Sequence, residues 1–413
     1  MRYVIAGNSA AAIHAIEAIR AHDPVGEIVL VAPDLQSYSR VFLPELVSGE
    51  KTLEDVAMRP PGFYAGHRVH CLEEKAVGLD PARRRLSLAG GARLEYDRLL
   101  VATGAVPALP SLPGVELDGV LVARDFSDVA LLKERASPGL PVVVIGASFA
   151  GLKLAAALQH RGCRVAIAGR VLRRALDDTG GRLVEAAITQ SGADLWPGVR
   201  ARALLGTSRV EAVELVDGTR LEAGLVLLAS GVTPNTRWLE SSGIALAADG
   251  SVVTGSYMQT SIPGVYAAGD VAQGLDIVTG VKRPLLLWPV AVEQGRVAGA
   301  SMAGGYARYE GSVPRNTGTF FGVTVATAGA TGGLPGAVTR VRGPGPGGYV
   351  KRWYQGPRLV GFLAVGCSGP TGHWITAMTR AQHPWLQSGS GSIGSVLSHR
   401  LGISNSEGGI ANG

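Results

Sequence analysis

The residues of this 413-residue chain best suited to chemistry are small ones that recur at the same spacing. Gly7, Ser9 and Ala12 follow a short apolar stretch and precede apolar residues at helical spacing. They match the G-x-G-x-x-G/A fingerprint, in which small residues make a tight turn, admit a pyrophosphate to the backbone and let helix pack on strand. Free N–H groups at the helix start favour that anion. Asp34, which ends the next apolar stretch, can accept hydrogen bonds from a ribose hydroxyl.

The same spacing recurs at Gly146, Ser148 and Gly151, again between an apolar stretch and a helical pattern. In this second unit the ribose-binding acid is missing, since Gly169 holds its position and Arg170 follows. Five arginines and no acid occur between residues 161 and 174, at positions 161, 164, 170, 173 and 174. Because arginine grips phosphate bidentately, this predicts a 2′-phosphate pocket and favours NADPH over NADH. The competing interpretation is that this site no longer binds a nucleotide.

Two further turns complete the set. Thr103 and Gly104 follow a buried strand and lead into a proline-rich crossover. Gly269 and Asp270 follow another short strand, where the carboxylate can accept hydrogen bonds from a polyol hydroxyl. Strands that alternate with helices in this way predict an α/β fold.

The order of these motifs resembles the pyridine nucleotide–disulfide oxidoreductase superfamily over roughly residues 1–385. The likeness is to the branch without a redox disulfide, which includes NADH–rubredoxin reductases, ferredoxin reductases and the flavin segment of assimilatory nitrite reductase. The resemblance implies two Rossmann-like dinucleotide-binding domains, for FAD and NAD(P), plus a C-terminal α+β interface domain. The implied domain bounds are 1–112 and 249–312 for FAD, 113–248 for NAD(P) and 313–387 for the interface domain, with a flexible Ser/Gly-rich tail over 388–413.

The motifs and the resemblance together predict the cofactor-binding residues. For the first site these are Gly7, Ser9, Ala10, Asp34, Arg40, Val77, Thr103, Gly104, Gly269, Asp270 and Trp288. For the second they are Gly146, Ser148, Phe149, Ala150, Gly151, Arg170 and Gly231.

Two departures from the family pattern bear on the chemistry. Val41 stands where related enzymes carry a redox cysteine in an N-C-G-L-P stretch, so a cysteine relay is excluded at that position. In the second-unit helix Lys153 replaces the family's glutamate, which pairs with a lysine beside the flavin. Glu45 is the candidate partner, and this reversed pair is our candidate for the catalytic residues. No cysteine pair suggests a metal site.

Composition limits the remaining choices. Hydrophobic residues at 46% and charged residues at 17% indicate a globular protein, and no apolar run is long enough to span a membrane, so we expect a cytoplasmic location. The net charge of +6 suits a small acidic electron carrier, and no nucleic-acid motif accompanies it. The resemblance also implies a homodimer.

The leading hypothesis is an FAD-dependent NAD(P)H oxidoreductase that passes electrons to a rubredoxin, a ferredoxin or another iron–sulfur protein. Two alternatives stay open. One is an NAD(P)H oxidase or small-molecule reductase, and the other is a flavin-binding subunit of a larger complex that does not use NAD(P)H directly.

Overall fold

The computed structural model describes residues 1–367, 369 and 371–382. The helices are α1 Ala10–His22, α2 Leu43–Ser48, α3 Phe63–Gly66, α4 Phe126–Arg135, α5 Phe149–His160, α6 Asp178–Gln190, α7 Trp288–Met302 and α8 Gly372–Gln382, with 3-10 turns at Arg40–Phe42 and Arg237–Leu239. The strands are β1 Arg2–Ala6, β2 Glu27–Ala32, β3 Val69–Glu73, β4 Ala76–Asp80, β5 Arg85–Leu88, β6 Arg93–Glu95, β7 Arg98–Val101, β8 Ala105–Pro107, β9 Val120–Leu121, β10 Pro141–Ile145, β11 Arg164–Ala168, β12 Asp194–Trp196, β13 Ala201–Leu205, β14 Ala212–Leu215, β15 Arg220–Glu222, β16 Leu225–Leu228, β17 Val232–Pro234, β18 Val265–Ala267, β19 Gly274–Leu275, β20 Lys282–Arg283, β21 Arg315–Phe320, β22 Val323–Gly329, β23 Val338–Arg342, β24 Tyr349–Gln355 and β25 Arg358–Val365.

The first sheet has five parallel strands in the order β18-β7-β1-β2-β3. Its central strand, β1, is apolar along both faces, and residues 3–6 are fully buried. Such continuous apolar runs are typical of parallel sheets that are covered on both sides. Helix α1 packs closely on α7, because Gly295 and Gly299 bring the α7 backbone against Ala11 and Ala15. This packing fixes the start of α1 at the carboxyl edge of the sheet.

The second sheet repeats the design with the parallel order β12-β11-β10-β16-β9. An antiparallel sheet of β13, β14 and β15 lies beside it. The two parallel sheets are linked by the antiparallel pair β8 and β17, which the chain forms on leaving and re-entering the first sheet. The carboxyl ends of both sheets therefore lie near a shared crossover.

The C-terminal part is an antiparallel sheet in the order β21-β22-β25-β24-β23, with α8 packed on β25. The sequence Gly-Pro-Gly-Pro at 343–346 lies in the loop that joins β23 to β24, as its composition indicates. Phe362 is fully buried and contacts the ring of Trp374 edge-on. The predicted fold class, two Rossmann-like sheets with an α+β C-terminal part, is confirmed. The domain bounds stay predictions, and the predicted tail over 388–413 lies outside the described residues.

Candidate functional site

The main cleft has a volume of about 680 Å³ and opens at the carboxyl edge of the first sheet. The loops that follow β1, β2, β7 and β18 all contribute to its wall, as expected for a doubly wound sheet. Gly7 shows why the first turn needs glycine. Its φ is +119°, and a Cβ atom there would lie 2.1 Å from the carbonyl oxygen of Ala102. The turn can therefore approach β7 only without a side chain.

Most residues predicted for the first site line this cleft. They are Gly7, Ser9, Ala10, Asp34, Arg40, Thr103, Gly104, Gly269, Asp270 and Trp288. Val77 does not line it, because it lies on β4 with an exposed side chain, one residue beyond the lining pair Lys75 and Ala76. Val41, at the position of the family's cysteine, is part of the wall.

The turn at Gly269 is held by a residue that the sequence analysis missed. The N–H of Gly269 donates to Oε1 of Gln294, 2.8 Å away, and Nε2 of Gln294 donates to the carbonyl of Gln273 at 3.0 Å. Gln294 is completely buried on α7. The sequence did contain a signal for this role, because Gln294 is a polar residue on the apolar face of a helix and a buried amide needs hydrogen-bond partners.

Arg124 is the second residue that the sequence analysis missed. Its guanidinium lies 2.8 Å from a carboxylate oxygen of Asp270 inside the cleft. It also donates to the carbonyl of Ala105 at 3.2 Å, while Arg40 donates to the carbonyl of Arg124. Nothing in its sequence surroundings marks Arg124, because the contact joins residues 146 positions apart.

The features of the cleft fit FAD. The N-terminus of α1 faces it, with neither an acidic residue in the first turn nor a side-chain cap on the free N–H groups. The backbone at Gly7 leaves room for a pyrophosphate, and Asp34 and Asp270 supply carboxylate acceptors for hydroxyl groups. These residues would hold the cofactor.

The glycine of the second nucleotide turn is packed like that of the first, but the helix start after it is capped. Gly146 has φ +112°, and a Cβ atom there would lie 2.4 Å from the carbonyl oxygen of Ala229. Ser148 caps the start of α5, and its Oγ accepts from the N–H of Gly151 at 3.2 Å. Ala150, in the first turn of α5, lines the main cleft. The start of the second unit's helix therefore reaches the first cofactor site.

Phe149 and Gly231 lie around this second turn. The ring of Phe149 contacts that of Phe320 edge-on, with centroids 5.9 Å apart. Gly231, with φ +116°, follows β16 and accepts from the N–H of Ala108 at 2.9 Å. Both residues thus connect the second unit to neighbouring parts of the chain.

The expectation that five arginines form one phosphate pocket is wrong for two of them. Arg161 donates to the carbonyls of Lys133 and Ala136, at 3.0 and 3.3 Å. Arg164 begins β11 and pairs with Glu222 at 3.0 Å. Both lie at the amino end of β11, because a helix that follows a parallel strand runs back to the opposite edge of the sheet. Arg170 is at the carboxyl edge, where its exposed guanidinium lies 3.2 Å from Asp178.

Lys153 and Glu45 form the predicted pair. The Lys153 ammonium lies 2.8 Å from Oε1 of Glu45, and both side chains are about four-fifths buried. The other carboxylate oxygen of Glu45 is buried without a hydrogen-bond partner. The pair lines a second pocket of about 470 Å³, between α2, α5 and the turn at Phe321, and not the main cleft. A catalytic role for the pair stays a prediction.

The three cysteines, at positions 71, 163 and 367, are all free. Burial raises the pKa of the Cys71 and Cys163 thiols, which keeps them protonated. Among the described residues, no cluster of histidine, cysteine or carboxylate side chains could hold a metal ion. Within the same part of the chain, no helix is long and apolar enough to cross a membrane.

Two dinucleotide turns, with the helix start after the second one reaching the cleft of the first, define a two-site flavoprotein of the kind the motifs indicated. The family model of pyridine nucleotide-disulphide oxidoreductases matches residues 1–295, and the chain belongs to this family. The chain is an FAD-dependent NAD(P)H oxidoreductase, and its described residues include no cysteine pair that could form a redox disulfide.

Individual relatives agree with this assignment. Subunit epsilon of the NADH-dependent phenylglyoxylate dehydrogenase of Aromatoleum evansii is 35% identical over 337 residues, which cover 80% of this chain and 79% of that protein. The assimilatory nitrate reductase electron transfer subunit of Bacillus subtilis (strain 168) is 29% identical over 335 residues, 79% of this chain but 42% of that protein. The structure of the ferredoxin reductase for the CYP199A2 system of Rhodopseudomonas palustris superposes with a TM-score of 0.81 at 26% identity, covering 89% of this chain and 91% of that one.

Proposed function

We propose that this chain takes a hydride from NADPH, in preference to NADH, onto FAD and passes the electrons to a small acidic redox protein such as a ferredoxin or a rubredoxin. One observation carries the proposal. Ala150, at the start of the second unit's helix, lines the same cleft as the residues that would hold FAD. A nucleotide on that helix start can therefore place its nicotinamide against the flavin.

FAD, when bound, supplies the hydride acceptor and can release electrons one at a time to a carrier. The chain's own residues provide position and electrostatics. The turns at Gly7 and Gly146 present backbone N–H groups at helix starts, where pyrophosphates are favoured. Arg124 places a positive charge beside Asp270 in the cleft and keeps that carboxylate oriented.

The preference for NADPH is supported by the segment that follows β11. Gly169 supplies no carboxylate for a 2′-hydroxyl, and the side chains of Arg170, Arg173 and Arg174 are exposed at the same edge. A guanidinium can bind a phosphate through two parallel hydrogen bonds. The competing loss of nucleotide binding is disfavoured by the intact turn at Gly146 and Ser148.

A carrier protein as acceptor is supported by the net charge of +6 and by the likeness to a ferredoxin reductase. We extend this to a homodimer, as the family resemblance implies, and to a cytoplasmic location, as expected from the composition. The test is steady-state NADPH oxidation with a ferredoxin, with a rubredoxin and with dioxygen alone. We expect fast turnover with an acidic carrier, and a rate that falls as salt shortens the Debye length from roughly 30 Å to roughly 8 Å. Equal turnover with dioxygen alone would instead support an oxidase or small-molecule reductase.

A second candidate function is that of a flavin-binding subunit in a larger complex. It is favoured by two relatives, one a dehydrogenase subunit and the other an electron transfer subunit. In that case the chain would exchange electrons with an iron–sulfur partner subunit. Stable co-purification with such a subunit, together with slow turnover of the isolated chain, would support this candidate over the first.

A further inference from the structure

We propose that Asp177, held by Tyr349 and Lys351 of the C-terminal sheet, is a positioning residue that fixes the nucleotide-reading segment of the second site. This inference rests on the proposed use of NADPH at that site. We call residues 169–176 the arginine segment, since it contains Arg170, Arg173 and Arg174. The segment joins β11 to α6 and lies next to the turn at Gly146.

The arginine segment contacts the nucleotide turn. The N–H of Leu172 donates to the carbonyl of Ala147 at 2.9 Å, and both residues are buried. At the start of the segment, a Cβ atom on Gly169 would lie 3.3 Å from the N atom of Ala147. The start of the arginine segment is therefore held against the backbone that follows Gly146.

The far end of the arginine segment is attached to the C-terminal part of the chain. Asp177 caps α6, with Oδ1 accepting from the N–H of Gly180 at 2.9 Å. Its Oδ2 accepts from the hydroxyl of Tyr349 at 2.8 Å and from the ammonium of Lys351 at 2.9 Å. A further bond joins the hydroxyl of Thr331 to the carbonyl of Arg174 at 3.4 Å. The C-terminal part of the chain thus contacts the segment at Arg174 and holds Asp177, the residue after its far end.

The attachment of Asp177 is largely buried and is strengthened by charge. Tyr349 is buried, and the side chains of Asp177 and Lys351 are about three-quarters buried. Burial alone would raise the pKa of Asp177, but hydrogen bonds from Gly180, Lys351 and Tyr349 together lower it, so the carboxylate stays charged. Charge-assisted hydrogen bonds are the stronger kind. By contrast, the pair between Arg170 and Asp178 is exposed and orients the arginine only weakly.

The consequence is that the C-terminal sheet sets nucleotide affinity and selectivity without touching the nucleotide. When Asp177 is attached, the backbone that carries the exposed arginines at the sheet edge is held in one position. Without it, the segment loses its fixed geometry, and the loss falls most on the nucleotide that carries the 2′-phosphate. The limiting rate of hydride transfer depends on the start of α5 and should not change.

The test uses anaerobic rapid mixing of the FAD-loaded full chain with NADPH and with NADH, to separate Kd from the limiting rate of flavin reduction. The variants are Asp177→Asn, which keeps the helix cap but removes the charge, and Lys351→Met. Arg340→Met is the matched control, because Arg340 lies on the neighbouring strand and stacks on Tyr354. Flavin content is measured first, and Tyr349→Phe, which removes only a hydroxyl, replaces any variant that fails to fold.

We expect Kd for NADPH to rise roughly 2- to 30-fold in the two variants, with a smaller rise for NADH and no change in the control. The limiting rate should stay within about two-fold of the wild type. Unchanged Kd values, or an equal rise in the control, would overturn this inference while leaving the proposed function intact. A wild-type chain that binds neither nucleotide, also when titrated with NADP⁺, would overturn both.

Discussion

A guanidinium nitrogen of Arg124 lies 2.8 Å from a carboxylate oxygen of Asp270, across 146 residues of sequence and inside the cleft that fits FAD. Both side chains are largely shielded from water. The contact ties the segment before α4 to the turn after β18. It is therefore positioned to hold the cleft in shape and to set the charge that a bound cofactor meets.

Asp270→Ala is expected to weaken FAD binding about 10- to 100-fold, because a hydrogen bond to a charged group contributes about 1.5–3 kcal/mol. Flavin retained after dialysis, followed by absorbance, measures the loss. Glu95→Ala is the control, since it removes one partner of an exposed pair with Arg85, and neither residue lines the cleft. Full retention in Asp270→Ala would show that this carboxylate does not hold the cofactor.

Gly295→Ala is expected to destabilise the fold by about 1–3 kcal/mol through overpacking. A Cβ atom at this position would lie 2.2 Å from the carbonyl oxygen of Ala11, and backbone cannot move away as a side chain can. Gly181→Ala is the matched control, because no atom of another segment lies within 4 Å of its Cβ position in α6. The control should gain about 0.5–1 kcal/mol. The midpoints of thermal unfolding give the order, and a Gly295→Ala midpoint at or above the wild type would contradict the packing described.

Lys153→Met and Glu45→Gln are each expected to cost about 1–3 kcal/mol, since the first leaves the largely buried Glu45 carboxylate without its partner and the second leaves the Lys153 charge uncompensated. The exchange Lys153→Glu with Glu45→Lys should recover most of the stability. Unfolding midpoints test the pair, and the rate of flavin reduction by NADPH tests its predicted catalytic role. If both single variants reduce flavin at the wild-type rate, the pair is structural only.

Stability should fall as the pH drops below 6.5, in part because of His14. Burial lowers the pKa of His14 from its ordinary value of 6.5, and its Nδ1 is 2.8 Å from the carbonyl of Ala10 on the first turn of α1. The unfolded chain binds a proton at the ordinary pKa while the folded chain resists it, so stability is lost as the pH falls through that value. His14→Gln should flatten the dependence of the unfolding midpoint between about pH 7.5 and about pH 5.5. A dependence in His14→Gln as steep as in the wild type would contradict this role of the buried imidazole.

The sequence was sufficient to predict the fold class and the two glycine turns. Gly7 and Gly146 are recognisable in the sequence because another part of the backbone packs so closely against each that only glycine fits. Each lies in a short motif that can be identified without knowing the rest of the fold. The reversed pair of Lys153 and Glu45 was also predicted, through the family pattern. Homodimer formation and location stay predictions.

The contacts that the sequence did not predict are those between distant segments. Arg124 and Gln294 reach the turn at residues 269–270 only because the chain returns to the first sheet after the second is complete. Arg161 and Arg164 were grouped with Arg170 because they are close in sequence, although a strand separates them in space. Residues that are close in sequence can lie far apart in space, and here β11 places Arg164 at one edge of the sheet and Arg170 at the other.

Hydride transfer from the second site to the first is tested most directly by anaerobic mixing of the FAD-loaded protein with NADPH and, separately, with NADH, while flavin absorbance is followed. We predict rapid bleaching by NADPH and slower or weaker bleaching by NADH. Faster reduction by NADH would contradict the assignment of Arg170 and its neighbours to a 2′-phosphate. Reduction by neither nucleotide would show that the second nucleotide site does not deliver a hydride to the flavin.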